Sequence, residues 1–114
     1  MENNINQVAM QVIMAACTGR DKVDEALECM TEHNFEKADQ LLREADQYLL
    51  EAHVAQTQMI QSQAAGEDME YSLLFIHAQD TLMTSNSEMR IAKNILPVFA
   101  AQARMIRQLS KGVN

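Results

Sequence analysis

His77 and Asp80 are the two residues of this sequence whose types and spacing could carry chemistry. They are three residues apart, so on a helix they project from the same face. A neutral imidazole with one nitrogen free and the other held by an acceptor is a nucleophile that can accept and release a phosphoryl group. The alternative interpretation is structural, with His77 buried and its ring nitrogens satisfied by a backbone carbonyl or a hydroxyl. Spacing alone favours the structural interpretation.

Asp80 raises a separate question because its neighbours are apolar. It follows the run Leu73-Leu74-Phe75-Ile76 and precedes Leu82 and Met83. A buried, unpaired carboxylate is strongly destabilising, so Asp80 must be ion-paired, hydrogen-bonded, bound to a metal or on the surface. The run before it is apolar on every side of a helix, which is typical of a helix buried on every side. Two partner helices rarely cover that much surface, so we expect the chain to self-associate.

Three helical stretches must position these residues, because apolar residues recur every three or four positions along most of the chain. We expect helices at about 3–30, 35–62 and 68–108, with Asn34 capping the second and Pro97 kinking or ending the third near Leu96. Gly19 falls on the apolar stripe of the first helix, where a missing side chain lets another helix approach. Short connections make neighbouring helices antiparallel. The fold class is therefore all-α, an up-down-up three-helix bundle, and residues after about Gln108 are expected to fray.

Length and composition bound the remaining possibilities. A chain of 114 residues is the size of one domain, here 1–114. The net charge of -7 argues against binding nucleic acid and favours encounter with a basic protein. The alternative, which charge alone favours, is that it only keeps the protein in solution. Cys17 and Cys29 are too far apart on one straight helix to form a disulfide. No apolar run is long enough to span a membrane and the N-terminus lacks a signal peptide, so we expect a cytoplasmic protein.

A resemblance to a known family changes the interpretation of His77. The run from Tyr71 to Ser85, with His77-Ala78-Gln79-Asp80 at its centre, resembles the signature of the lactose/cellobiose (and chitobiose) type of IIA component. These proteins belong to the bacterial phosphoenolpyruvate-dependent sugar phosphotransferase system. The upstream segment Glu51–Ile60 is similar to the family's Glu-Ala-His…Gln-Thr segment, and the likeness covers about Ala9 to Ser85. The Asn34-Phe35 helix start and the Gly66-Glu67 turn also fall where that family has them.

The resemblance implies a concrete mechanism. Family members are three-helix subunits that assemble as homotrimers, giving a nine-helix bundle. The histidine at the position of His77 accepts a phosphoryl group from the phosphocarrier HPr and passes it to a cysteine of the IIB component, and a disaccharide is phosphorylated as it enters through the membrane IIC component. The aspartate at the position of Asp80 lies on the threefold axis, where three copies bind one divalent metal. Oxygen ligands favour a hard ion such as Mg2+. Gln79 and Thr81 are candidate supporting residues beside the phosphoryl group.

Several positions depart from the family pattern. Many members have a second histidine directly after the aspartate, where this chain has Thr81, and Pro97 interrupts a helix that usually continues. Cys17 and His33 stand where glycine is common. We expect His53, although part of the second motif, to be a hydrogen-bonded packing residue rather than a catalytic one. The alternative function is a divergent, non-catalytic trimeric adaptor with the same fold. The sugar is not readable, because the IIA component does not contact it.

Overall fold

The structure is a computed structural model that describes residues 5–65 and 72–112. These residues form three helices, α1 (Ile5–Thr31), α2 (Phe35–Ala64) and α3 (Leu73–Gly112), and no strand. The Asn6 and Ser72 side chains meet at one end of the bundle, and Arg20 meets Glu88 further along. The helices α1 and α3 therefore run parallel, with α2 antiparallel between them in the chain. The predicted all-α, three-helix architecture is confirmed, whereas Gly66-Glu67 lies outside the described residues.

The core follows the apolar periodicity of α1 and α2. On α1 the buried residues recur every three or four positions and include Ile5, Val8, Val12, Ala16, Gly19, Val23, Ala26 and Met30. On α2 the buried positions include Ala38, Leu41, Leu42, Ala45, Leu49 and Ala52. Because many core residues are alanines, the helix axes can come close together. Each buried leucine or valine contributes on the order of 2 kcal/mol of hydrophobic free energy to this packing.

Gly19 is a point of close approach between α1 and α2. A Cβ atom built on Gly19 would lie 3.0 Å from Cγ of Leu49 and 3.4 Å from the carbonyl oxygen of Ala45. Leu49 is itself buried, so its side chain has little room to move. The absence of a side chain at position 19 therefore allows the two helices to pack, as the sequence predicts.

Ion pairs on the surface link every pair of helices. Lys22 of α1 lies 3.1 Å from Glu44 of α2, Arg20 of α1 lies 2.7 Å from Glu88 of α3, and Lys93 of α3 pairs with Asp46 of α2. The hydrogen bond between Lys22 and Glu44 raises the pKa of Lys22 and lowers the pKa of Glu44. Exposed pairs of this kind stabilise proteins only slightly. They mark the register of the helices rather than explain the stability of the bundle.

The connection between α1 and α2 is a Schellman turn closed by His33. The amide of Asn34 donates to the carbonyl of Cys29 at 2.8 Å, and the amide of His33 donates to Met30 at 3.0 Å. His33 has φ of 60°, the left-handed conformation that glycine adopts most readily at this position. The predicted cap of α2 is confirmed, because Asn34 Oδ1 accepts from the amide of Lys37 at 3.3 Å.

The helix α3 is longer than the sequence predicts. It does not end near Leu96 but continues through Pro97 to Gly112, four residues beyond the predicted end at about residue 108. Pro97 is exposed, so its ring points away from the other helices, and it removes one amide donor, that to the carbonyl of Lys93. Beyond Pro97 the helix is held by contact with the end of the bundle, because Ala103 is buried.

Cys17 and Cys29 are free thiols, as their spacing predicts.

Candidate functional site

His77 and Asp80 both lie on the outward side of α3. Phe75, Ala78 and Leu82 of the same turns face the core and are buried. Because side chains at 75, 78 and 82 share one face of a helix, those at 77 and 80 must project from the opposite side. His77 and Asp80 are accordingly exposed, and Gln79 is half-buried. Of the interpretations open at the sequence level, burial of His77 in the core of the protomer is excluded.

The start of α3 is anchored by a hydrogen-bonded serine five residues before His77. The amide of Phe75 donates to Ser72 Oγ at 3.0 Å, which is the geometry of a helix N-cap. Ser72 Oγ in turn donates to Oδ1 of Asn6 at 2.7 Å, which ties α3 to the first turn of α1. Sequence reasoning missed this tie. A serine directly before an apolar run signals the cap, but nothing in the sequence points to Asn6.

The hydroxyl groups that follow His77 are engaged with the backbone. Thr81 Oγ1 donates to the carbonyl oxygen of His77 at 2.9 Å, and Ser85 Oγ donates to the carbonyl of Thr81 at 2.7 Å. A hydroxyl has one hydrogen to donate. In this conformation Thr81 therefore stiffens the turn that carries His77 and has no hydrogen left for a group on the imidazole.

Arg20 connects the same region of α3 to α1. Its Nη2 donates to Thr84 Oγ1 at 3.1 Å and its Nε donates to Glu88 at 2.9 Å. Together with the Ser72–Asn6 hydrogen bond, this contact fixes α3 against α1 on both sides of His77 along the helix. Sequence reasoning missed Arg20, because it is 64 and 68 residues away from its two partners in the chain.

The side chains of His77 and Asp80 make no hydrogen bond or ion pair within the described residues of the protomer. Nor do residues 5–65 and 72–112 contain a group of three or more His, Cys, Asp and Glu that could hold a metal ion. Within the described residues, one protomer thus offers a free imidazole and one free carboxylate, Asp80, on the same face of α3. A metal site at Asp80 needs ligands from beyond residues 5–65 and 72–112 of one protomer.

Asp80 lies within a row of exposed apolar residues that follows α3. We call Leu73, Ile76, Met83, Ile91 and Val98 the α3 row; apart from Ile76, which is 41% exposed, each is between 51% and 69% exposed. Their spacing and that of Asp80 keep them on the side of the helix opposite to the core. The sequence predicts that the run 73–76 is buried on every side. In the protomer it is buried on one side only: Phe75 is buried and Leu74 is half-buried, whereas Leu73 and Ile76 are exposed.

His53 does not have the packing role that the sequence suggested. It is exposed on α2 and makes no hydrogen bond within the described part of the chain. Ala52, the residue before it, is fully buried, and one step along a helix turns a side chain by about 100°. The phase of α2 therefore directs His53 away from the core.

Comparison with known proteins decides the family. The family model described as "PTS system, Lactose/Cellobiose specific IIA subunit" matches residues 7–100. This chain belongs to that family. The lactose-specific EIIA component of Staphylococcus epidermidis is 33% identical over 97 residues, which is 85% of this chain and 93% of the relative. The lichenan-specific phosphotransferase enzyme IIA component of Bacillus subtilis is 33% identical over 99 residues, 87% of this chain and 90% of the relative.

Solved structures of similar IIA components share the fold. The cellobiose-specific enzyme IIA from Bacillus anthracis aligns with a TM-score of 0.83 at 32% identity, covering 91% of this chain and 95% of that one. PtcA from S. mutans aligns with a TM-score of 0.78 at 36% identity, covering 81% and 90%. The IIA(Chitobiose) subunit, solved in complex with HPr, aligns with a TM-score of 0.78 at 24% identity, covering 90% and 99%, and shows the fold alone.

As a member of this IIA family, the chain is a component of the sugar phosphotransferase system, whose general task is to carry phosphoryl groups. The family match includes His77 and Asp80 and ends twelve residues before the end of α3. Among the described residues, no helix combines the length and apolar character needed to cross a bilayer.

Proposed function

We propose that His77 is the phosphoryl acceptor of this IIA component. The observation that carries the proposal is the free imidazole on the outer face of α3, held in place by the Ser72–Asn6 and Arg20–Thr84 hydrogen bonds on either side of it. Phosphoryl transfer needs in-line access to the nucleophile and little covalent help from the protein. An exposed, unpartnered imidazole on a rigid helix gives that access to a macromolecular donor.

The transfer has two steps. In the first, a free ring nitrogen of neutral His77 forms a phosphorus–nitrogen bond while the bond between phosphorus and the donor breaks. In the second, that phosphorus–nitrogen bond breaks and a phosphorus–sulfur bond forms on a cysteine thiolate of the IIB component. IIB then phosphorylates a disaccharide during uptake through IIC. The protomer holds His77 accessible to both partners, and after the second transfer the imidazole of His77 is free again.

We propose phospho-HPr as the donor. The structurally similar IIA(Chitobiose) subunit was solved in complex with HPr. All sixteen acidic residues of this chain and only four of its nine lysines and arginines fall in the first 88 residues. Such an excess of negative charge steers a basic protein toward the bundle and raises the association rate. These partners place the protein's work in the cytoplasm.

The α3 row supports assembly as a homotrimer. Large apolar side chains exposed in one line along a helix mark an interaction surface. The members of the α3 row follow one another after three, seven, eight and seven residues, which is one or two helical turns, and such a line packs against copies of itself as in a coiled coil. Three parallel copies of α3 joined by this row form the centre of a nine-helix bundle. In such a trimer the surface left open by Leu73 and Ile76 is covered.

The same assembly brings three Asp80 carboxylates together on the axis. Three like charges in an apolar surround repel strongly, and a divalent cation supplies the opposing charge. We propose one metal per trimer, Mg2+ by preference because the ligands are oxygens. Each protomer supplies one ligand, in keeping with the single free carboxylate on this face.

The test is the intact mass of the protein after incubation with phosphoenolpyruvate, enzyme I and HPr. We expect an acid-labile gain of one phosphate per chain in the wild type and in His53→Ala, a matched control that removes another exposed histidine. His77→Ala should show no gain while keeping its fold and its assembly state. Phosphorylation of His77→Ala to the wild-type level, or no gain in the correctly assembled wild type, contradicts the proposal. The second outcome identifies a non-catalytic adaptor.

A further inference from the structure

Arg90 is a base without a partner at the edge of the α3 row. It is exposed and directly precedes Ile91, a member of the row. Within the described residues its side chain makes neither an ion pair nor a hydrogen bond. Lys93, three residues later, pairs with Asp46 of α2, and residues three apart share one side of a helix. Arg90 therefore lies on the α2 side of the row, and its charge is unopposed.

Glu88 lies on the other side of the row, because two residues along a helix turn a side chain by about 200°. Its Oε1 lies 2.7 Å from Nη2 of Arg20 on α1 and accepts a hydrogen bond from Nε at 2.9 Å. In the part of the chain that the structure describes, the second carboxylate oxygen, Oε2, has no partner. Asp24, one turn after Arg20 on α1, is exposed and equally unpaired there. This side thus carries two acidic groups against one base.

A threefold ring brings these two sides together. Each protomer of a closed ring presents one side of its interface to one neighbour and the other side to the other neighbour. Rotation about the axis involves no translation along it, so three parallel copies of α3 are aligned residue for residue. Arg90 of one protomer then lies two residues, or about 3 Å, along the axis from the level of Glu88 in the next. Charged residues on either side of an apolar seam form interhelical ion pairs in this way.

We propose that Arg90 of each protomer binds Glu88 of the next, so that three identical ion pairs surround the axis. The proposal rests on the homotrimer proposed above. The guanidinium group of Arg90 takes the open Oε2 of Glu88, while Arg20 keeps Oε1. The nearby carboxylate of Asp24 offsets the repulsion between the two guanidinium groups.

These ion pairs fix the register of the trimer at a point where no metal ligand acts. An apolar row alone allows one helix to slide past another, whereas charged residues beside the row set orientation and partner choice. A slide of one turn is about 5.4 Å, which would separate Arg90 from Glu88 and also the Asp80 carboxylates from one another. The pairs lie eight to ten residues beyond Asp80, about 12–15 Å along the helix, so they align the helices away from the metal.

The test is the dissociation of the unphosphorylated, full-length trimer on dilution in excess Mg2+, followed by analytical ultracentrifugation. We expect Arg90→Glu to raise the midpoint concentration about tenfold, since three attractive contacts become repulsive. Glu88→Lys should act in the same direction, and the double variant Arg90→Glu/Glu88→Lys should return to within a few-fold of the wild type. Lys37→Glu makes the same change of charge at an exposed position of α2 and should leave the midpoint unchanged. High salt should reduce the effect of Arg90→Glu.

Two results overturn the ion pair while the trimer remains. One is a trimer of Arg90→Glu that is as stable as that of the wild type. The other is a double variant no more stable than Glu88→Lys; both lack the contact with Arg20, so their comparison isolates the pair between protomers. A wild type that is monomeric overturns the pair together with the proposed assembly. None of these outcomes involves phosphate transfer, so the test on His77 stays separate.

Discussion

At the scale of single residues, His33 shows where local backbone geometry and side-chain type disagree. It holds the left-handed position of the turn between α1 and α2, with φ of 60°. Its ring stacks on Phe35, with centroids 5.6 Å apart, which offsets part of the unfavourable conformation. A left-handed residue with a Cβ atom is less favourable than glycine there by roughly 1–2 kcal/mol.

We therefore expect His33→Gly to be more stable than His33→Ala by about 1 kcal/mol, since both lack the ring and only glycine removes the backbone strain. Chemical unfolding of the two variants beside the wild type measures the difference. The wild type should lie between them if the stacking on Phe35 contributes. Equal stability of the two variants would show that this turn has no preference for glycine.

Individual residues also show how far sequence reasoning reaches. The buried stripe of α1 is predictable because burial repeats with the helical period. The close approach at Gly19 is predictable because a missing side chain on that stripe leaves room for the neighbouring helix. The exposure of His53 was not predicted, since membership of a motif says nothing about helix phase. Asn6 and Arg20 could not be found, because their partners are more than 60 residues away in the chain.

At the scale of elements, α3 is the helix whose extent the sequence misrepresents. A proline inside a helix removes one hydrogen bond and disfavours the helical conformation of the residue before it. That local rule predicts a kink or an end near Leu96, and α3 continues as a helix for sixteen residues beyond it. Packing of Ala103, which is buried six residues beyond Pro97, outweighs the local preference. Tertiary contacts of this kind are not visible in a single sequence.

Replacing Pro97 should therefore strengthen α3. We expect Pro97→Ala to stabilise the protein by about 1–3 kcal/mol, because the missing hydrogen bond is restored and alanine is the best helix former. Pro97→Gly restores the same amide but should gain about 1 kcal/mol less. Thermal and urea unfolding followed by circular dichroism give both values. A loss of stability in both variants would mean that the bundle requires the geometry imposed by proline.

At the scale of the whole molecule, the protomer is an elongated body of 72 × 19 × 19 Å with an apolar line along one side. A chain of this size buries a modest core, and the α3 row adds exposed apolar surface that water does not favour. The run 73–76 predicts self-association, because two neighbouring helices rarely cover a helix that is apolar on every side. The protomer agrees with that logic, since Leu73 and Ile76 remain exposed after α1 and α2 have packed.

The trimer makes a prediction that separates the α3 row from ordinary exposed apolar residues. Met83 belongs to the row and is 63% exposed, while Met14 on α1 is 65% exposed but lies off it. In a trimer built on the row, Met83→Glu places three carboxylates next to Asp80 in a desolvated interface, where unpaired charge is strongly unfavourable. Met14→Glu changes the net charge equally and leaves the row intact. We expect Met83→Glu to be monomeric by light scattering and Met14→Glu to remain trimeric.

The same pair of variants tests the metal. If Asp80 carboxylates share a divalent cation, chelation should weaken the trimer of the wild type and of Met14→Glu, and added Mg2+ should restore it. Asp80→Asn removes the repulsion together with the ligand charge, so its trimer should be insensitive to chelation. A trimer that survives Met83→Glu would place the interface elsewhere on the bundle. In that case Asp80 would have no reason to meet its copies, and the proposed metal site would fall with the interface.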